Sequence, residues 1–428
     1  MRKITINLVT IICCVLFAIE LKAQQNNPNS SFKIIIDTER ITTGTSNDNQ
    51  FSIIPGSNAI FTIYWNETDT VGELALAGNP TTHTYSTKGI KTILISGTDV
   101  SILNNLDLRN KLISVESWGS VGTQWLSMEG TFESCENLVI NATDVPAFKV
   151  GASCKETFKG CTNFNEDLSG WNMSNVSNTD GMFYSAESFN QSLNSWDVSN
   201  VTTMESMFGF ARSFNQPLNN WDVSNVTNMF GMFFSAESFN QSLSNWDVSN
   251  VTTMENMFES ASLFDQDLSS WDVSNCTSMF FMLNQSALSI TNYDLLLAAW
   301  SQLTLQSNVA FGTDAQFCDS AAERTSIINT FNWTISDGGQ APANVCSSLS
   351  NNSLNDSFIA SISPNPTTGV VTISESVKLV AVYALDGKKI VEFNQTAVFD
   401  VSGLTKGVYL AKITSQDDSS IIKKLIKR

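Results

Sequence analysis

The chain has 428 residues, of which 42% are hydrophobic and 15% charged, with a formal net charge of -18 and a single histidine, His83. That apolar share excludes a disordered chain, and acidity spread over many short loops argues against nucleic acid as a partner. One histidine excludes a histidine-built metal centre or a Ser-His-Asp triad within the chain.

The first element is a leader. Met1 to Ala23 has a basic start at Arg2 and Lys3, an apolar stretch from Leu8 to Ile19 and a small residue at Ala23, the pattern of a secretory signal peptide. Its apolar run is too short for a mature membrane span, and nothing later in the chain is long enough. Cys13 and Cys14 follow Ile12 rather than a small residue, which argues against a lipid anchor. Export permits disulfides among Cys135, Cys154, Cys161, Cys276, Cys318 and Cys346, whose spacings match no zinc pattern.

Residues 30–98 alternate apolar and polar side chains in short runs, such as Ala59-Ile60-Phe61-Thr62-Ile63-Tyr64-Trp65, separated by turn formers. They are expected to form a β-sandwich. The pieces Trp65-Asn66, Thr82-His83-Thr84-Tyr85-Ser86 and Gly89-Ile90 resemble the polycystic-kidney-disease-type sandwich, and His83 is expected to pack rather than catalyse. Residues 99–127, with Trp118 and Trp125, are expected to cap the next element.

From 128 to 288 the chain repeats. Trp-Asp-Val-Ser-Asn begins at Trp196, Trp221, Trp246 and Trp271, 25 residues apart, and a degenerate copy begins at Trp171. A fixed period of this size marks stacked units that bury one another's apolar faces. Met204, Met207, Phe208 and Ala211 stand at i, i+3, i+4 and i+7, with Thr202 and Glu205 spaced as a capping box, so this half of the unit is predicted to be a short helix. The other half, such as Phe239 to Val248, reads as an extended segment that ladders with its neighbours. The expected core comprises Trp171, Trp196, Trp221, Trp246 and Trp271 with Phe183, Phe208, Phe233 and Phe258, because a thin stack needs large side chains inside. Cys135 and Cys161 fall at the phase of Ala186 and Ala211 and are expected to be buried thiols. The column Asp197, Asp222, Asp247 and Asp272 is expected to hold turns rather than calcium, and Asn190, Asn215 and Asn240 to form an amide ladder. Outward residues that differ between copies, Ser192, Pro217, Ser242 and Asp267, form the candidate binding surface.

Residues 289–346 lose the motif but keep apolar positions around Tyr293 to Trp300, as a terminal cap requires. Cys318 and Cys346 flank the end of this region, and a disulfide between them would contribute roughly 3 kcal/mol. A Ser/Asn-rich linker is expected at 347–357, followed by a β-rich module at 358–428.

The repeats resemble the BspA-type leucine-rich repeats of bacterial surface proteins, through Trp-Asp-Val-Ser-Asn-Val-Thr and Met-x-x-Met-Phe-x-x-Ala-x-x-Phe-Asn-Gln. The resemblance implies a curved right-handed solenoid used for adhesion or other extracellular binding. The last module is similar to the sorting domain of the type IX secretion system, on Pro364-Asn365-Pro366-Thr367-Thr368-Gly369, Leu385-Asp386-Gly387-Lys388-Lys389, Gly403 to Leu410 and the basic end Lys423 to Arg428. That implies export across the outer membrane, with the type IX machinery as partner, then release or attachment at the cell surface. The expected fold is therefore an α/β leucine-rich-repeat-like solenoid flanked by an N-terminal β-sandwich and a C-terminal β-sandwich sorting domain. With no catalytic motif, the expected function is non-enzymatic, cofactor-free binding of an extracellular protein or glycan; the alternative is a self-associating component of the envelope or a biofilm matrix.

Overall fold

The computed structural model describes residues 31–40, 46–119, 123–350, 362–363, 367–374, 377–384, 388–416 and 420–427. The expected leader, residues 351–357 of the expected linker, and Pro364-Asn365-Pro366, Leu385-Asp386-Gly387 and Arg428 of the sorting motifs lie outside the described residues. The chain divides into two compact units, Met1–Gln340 and Ala341–Arg428.

The first unit begins with antiparallel strands whose side chains alternate between core and surface, as in Phe32–Asp37 and Gln50–Pro55. Phe32–Asp37 lies between Ile90–Val100 and Leu112–Trp118, and Ile60–Tyr64 pairs with both Ile90–Val100 and Glu73–Leu76. A second sheet joins Gln50–Pro55 to Thr81–Thr84 and Ile102–Leu103. His83 stacks on Trp65 at 5.1 Å between ring centroids, and the buried Tyr85 hydroxyl donates to the Trp65 carbonyl at 3.2 Å.

The long strand Ile90–Val100 changes partner along its length. Its first half is antiparallel to Phe32–Asp37, whereas Gly97 and Val100 pair in parallel with Thr123 and Trp125. A Cβ at Gly97 would lie 2.8 Å from the Phe61 Cβ and 2.9 Å from the Ile60 carbonyl oxygen, so only glycine fits this changeover. Parallel pairing then continues through Thr123–Ser127, Phe148–Ser153 and Val176–Asn178. Beyond them single bridges link Asn178, Thr203, Asn228, Thr253 and Ser278 in order. The repeats thus form a column of stacked coils seeded on the edge of the N-terminal sheet, and one apolar cluster runs from Phe32 to Trp333.

Within the column the expected α/β leucine-rich-repeat class is overturned. Among the described residues strand far outweighs helix, and no helix lies between residues 128 and 288. Met204 to Ala211 is a run of turns, because its amides divide their bonds between two partners. The N–H groups of Met207, Gly209 and Ala211 bond three residues back, while those of Ser206, Phe208 and Phe210 donate to Phe230, Met232 and Phe234 in the next coil. An α-helix would turn every amide onto the residue four before it. Ser206 and Phe210, at φ 52 and 57, adopt the left-handed conformation that ends a helix. The expected cap is absent for the same reason: the Thr202 hydroxyl donates to the Ser177 carbonyl in the preceding coil, and the Glu205 amide to Asp180 Oδ1.

A short helix, Leu106–Lys111, precedes the repeats, and further helices follow them. Met279–Leu283, Ala310–Thr313 and Thr334–Ser336 form a parallel sheet, with helices Ile290–Trp300 and Ala321–Phe331 between successive strands. Tyr293, Leu296, Leu297 and Trp300 face the core. The Asp294 carboxylate accepts from the backbone amides of Cys318, Asp319 and Ser320 at 3.0–3.3 Å, fixing the entry to the second helix.

The second unit contains helix Ala343–Ser350 and two antiparallel sheets. One comprises Ile362–Ser363, Val370–Ile373 and Val398–Asp400; the other orders Lys389–Asn394, Leu379–Tyr383, Gly407–Thr414 and Ser420–Lys427. They share a core that includes Val371, Val380, Phe399, Ala411 and Leu425. In Gly403 to Tyr409 the Tyr409 ring joins this core and its hydroxyl donates to the Thr405 carbonyl at 2.9 Å, pinning the turn before the strand. No helix among the described residues is long and apolar enough to cross a membrane.

Candidate functional site

The column presents an interior of constant residues and an exterior that changes from coil to coil. Inside, Trp196, Trp221, Trp246 and Trp271 stack at 6.4–6.5 Å with planes within 3° of parallel. Each is no more than 3% exposed, and each indole N–H donates to the carbonyl of a leucine one coil earlier, Leu168, Leu193, Leu218 and Leu243 in turn. Trp171 is 5% exposed. These rings have no free face for a sugar. Phe183, Phe208, Phe233 and Phe258 stack at 5.5–5.6 Å beside a second row, Phe189, Phe214, Phe239 and Phe264, at 6.0–6.1 Å.

Polar rows tie one coil to the next. The amides of Asn190, Asn215, Asn240 and Asp265 each donate to the side-chain oxygen of the Asn one coil before, at 2.9–3.0 Å. Gln216, Gln241 and Gln266 add side-chain bonds to the same oxygens at 2.7–3.1 Å. The Phe239 to Val248 half is therefore linked through side-chain amides and is not a strand. Asp197, Asp222, Asp247 and Asp272 each accept the amide of the serine two residues on, as Asn172 does. The hydrogen bonds from Ser199 and Ser249 hold the Asp197 and Asp247 carboxyls below the usual carboxylate range. No cluster of His, Cys, Asp and Glu suited to a metal occurs among the described residues.

Cys135, Cys154, Cys161 and Cys276 are free and buried. Burial pushes the Cys161 thiol up to about 12 and that of Cys276 to about 11, and raises Cys135 and Cys154 as well. Burial works against nucleophilic roles for these four, since the thiolate is the reactive form. Cys318 and Cys346 are both disulfide-bonded.

Outside, Ser192, Pro217, Ser242 and Asp267 are exposed in one column, and Asp267 also accepts the amide of Ser269. They are small, and all but Pro217 are polar. A second exterior face is richer. On the turns, Tyr184, Phe210 and Phe234 meet edge to face across three successive coils, at 5.3 and 4.9 Å. Two coils after Phe230, Phe280 is 42% and Phe281 37% exposed. Tyr184 also walls a groove with Glu156, Lys159, Asp180 and Glu205. A helical assignment of this segment hides these aromatics; the signal lies in Phe210, which stands where the other copies carry Ser185, Ser235 and Ser260.

Comparison with known families agrees with this division. Residues 114–219 and again 191–300 match the family described as Mycoplasma protein of unknown function, DUF285, overlapping as a repeat would. Residues 361–428 match the secretion system C-terminal sorting domain. No curated protein matches the chain, and no solved structure does. The C-terminal sorting domain addresses the chain to the type IX secretion machinery, so the protein is secreted and either attached to the cell surface or released.

Proposed function

We propose that the chain is a non-enzymatic binding protein of the cell exterior, which uses its repeat column to engage an extracellular protein or glycan. One observation carries this reading: core positions hold the same residues coil after coil, while exterior positions on the same scaffold vary from Ser to Phe to Glu. A regular array with a variable face is how repeat proteins build extended binding surfaces. The sorting domain supports it by sending that face outside the cell, and the likeness of Trp-Asp-Val-Ser-Asn repeats to those of bacterial surface proteins points the same way. The test is binding of the purified chain to an array of glycans and extracellular proteins. Selective capture of one ligand class is expected, and uniform failure across the array would remove the reading.

A second reading, a self-associating envelope or matrix component, has one observation in its favour. Strand Thr334–Ser336 ends its sheet, pairing among the described residues only with Ala310–Thr313, and such an edge is a template for another chain. Sedimentation of the purified chain separates the two: concentration-dependent assembly favours the matrix role, and a monomer favours ligand binding.

A further inference from the structure

The turn face of the column carries side chains that its packing does not require. Phe210 and Phe281 sit at φ 57 and 54, a conformation that any Cβ disfavours. At those two phases the other coils use Ser185, Ser235 and Ser260, or Gly181, Ser206, Gly231 and Asn256. Packing does not account for Phe281, which is 37% exposed and lies against Phe280, itself 42% exposed, at 3.8 Å between ring centroids. A Cβ at Gly209 would come within 2.8 Å of the Tyr184 ring.

The carboxylates interspersed with these rings accept from neutral donors. Asp180, Glu205, Glu255 and Glu259 make no ion pair with Lys or Arg among the described residues. Burial raises the Glu259 carboxyl. A sugar is neutral and leaves these carboxylates uncompensated, whereas a cationic side chain brings the charge they lack. An arginine offers five donors and no acceptor, and its plane stacks on aromatic rings.

Resting on the binding reading above, we propose that the turn face from Tyr184 to Phe281 docks a cationic, extended segment of a partner protein. Its arginine or lysine side chains lie over the aromatic strip and donate to the neighbouring carboxylates. The net charge of -18 steers such a partner in, and successive coils, roughly 4.8 Å apart, offer it a repeating footing.

The test uses the full chain and a fluorescent dodecapeptide of alternating Arg and Gly, read by anisotropy at physiological salt, beside the same peptide with citrulline for arginine. The Arg peptide is expected to bind and the citrulline peptide not. F210S/F234S keeps the net charge, and at Phe210 it restores the serine of neighbouring coils; it is expected to weaken binding at least tenfold with an unchanged circular dichroism spectrum. The triple variant D197N/D222N/D247N, which removes charge from the Asx-turn column, is expected to leave affinity within twofold. Equal binding by F210S/F234S, equal loss in the triple variant, or binding of the citrulline peptide overturns the proposal. Array ligands that F210S/F234S still captures would leave the general binding function standing while this inference falls; a chain that captures neither array ligand nor peptide loses both.

Discussion

Lys111 and Asp107 are the least solvated charges of the N-terminal module, at 0% and 3% exposure, and they face each other at 3.2 Å one helical turn apart. The Lys111 ammonium also donates to the carbonyls of Ser46, Asn47 and Gln50 at 2.8–3.0 Å, and the two Asp107 oxygens accept the amides of Ser46 and Ser52. A buried pair of this kind stabilises little against an apolar replacement, but breaking it strands a charge. Lys111→Met is therefore expected to lower the unfolding free energy by about 3–5 kcal/mol, measured by urea denaturation followed at the tryptophans; a loss below 1 kcal/mol would show that water reaches Asp107. Chemistry at the thiols follows from burial too. With Cys161 titrating at about 12 and Cys276 at about 11, iodoacetamide at pH 8 is expected to leave all four free cysteines unlabelled in the native chain and to label them in denaturant. The aspartates give the opposite pH sense. The Asp197 and Asp247 carboxyls lie below their unfolded values, so their stabilisation is present above about pH 4 and fades as pH falls through the lowered native values. Asp197→Asn is expected to remove that contribution to the acid dependence, seen as a smaller fall in melting temperature between pH 5 and pH 3.

At the scale of the element, the spacing of Met204, Met207, Phe208 and Ala211 is honest about burial and silent about hydrogen bonding. All four are 0% exposed, so the apolar phase was legible in the sequence, as were the tryptophan, phenylalanine and asparagine rows. The helix was misread because two consecutive tight turns bury the same positions as two turns of helix. What distinguishes them is the left-handed pair, Ser206 and Phe210, which recurs as Gly181 with Ser185 and Gly231 with Ser235. A glycine in only some copies of the first position was the available clue. The same ambiguity covers the candidate site, since a helix would separate Tyr184 and Phe234 from the face they share with Phe210. The left-handed positions can be tested directly. Gly231→Val, a β-branched residue forced to φ 56, is expected to cost about 1–2 kcal/mol or more, whereas Ser206→Gly is expected to be neutral or stabilising by a few tenths of a kcal/mol because it removes strain while loosening the unfolded chain. Equal destabilisation by both, read from denaturant midpoints, would contradict the turn geometry.

For the molecule as a whole, each coil touches chiefly the coils before and after it, through backbone amides, stacked rings and asparagine amides 24 to 28 residues apart. An array of this kind has stability close to a sum of unit terms and nearest-neighbour interfaces. Register is the property it protects. Removing Trp221 to Asn245 deletes one complete period, so Trp246 takes the phase of Trp221 on Trp196, Phe258 takes that of Phe233 on Phe208, and Asp265 presents its amide to Asn215. Every row closes across the deletion. Such a chain is expected to remain folded with a cooperative transition a few degrees lower, having lost one interface from a long series. Removing 12 residues from the same place instead would set Trp-Asp-Val-Ser-Asn opposite the turn segment of its neighbour, exchanging stacked rings for misplaced polar groups, and is expected to abolish the cooperative melt. Thermal unfolding followed by circular dichroism compares the two deletions against the full chain. Similar transitions for both would mean that the coils are held by their flanking modules rather than by the rows between them.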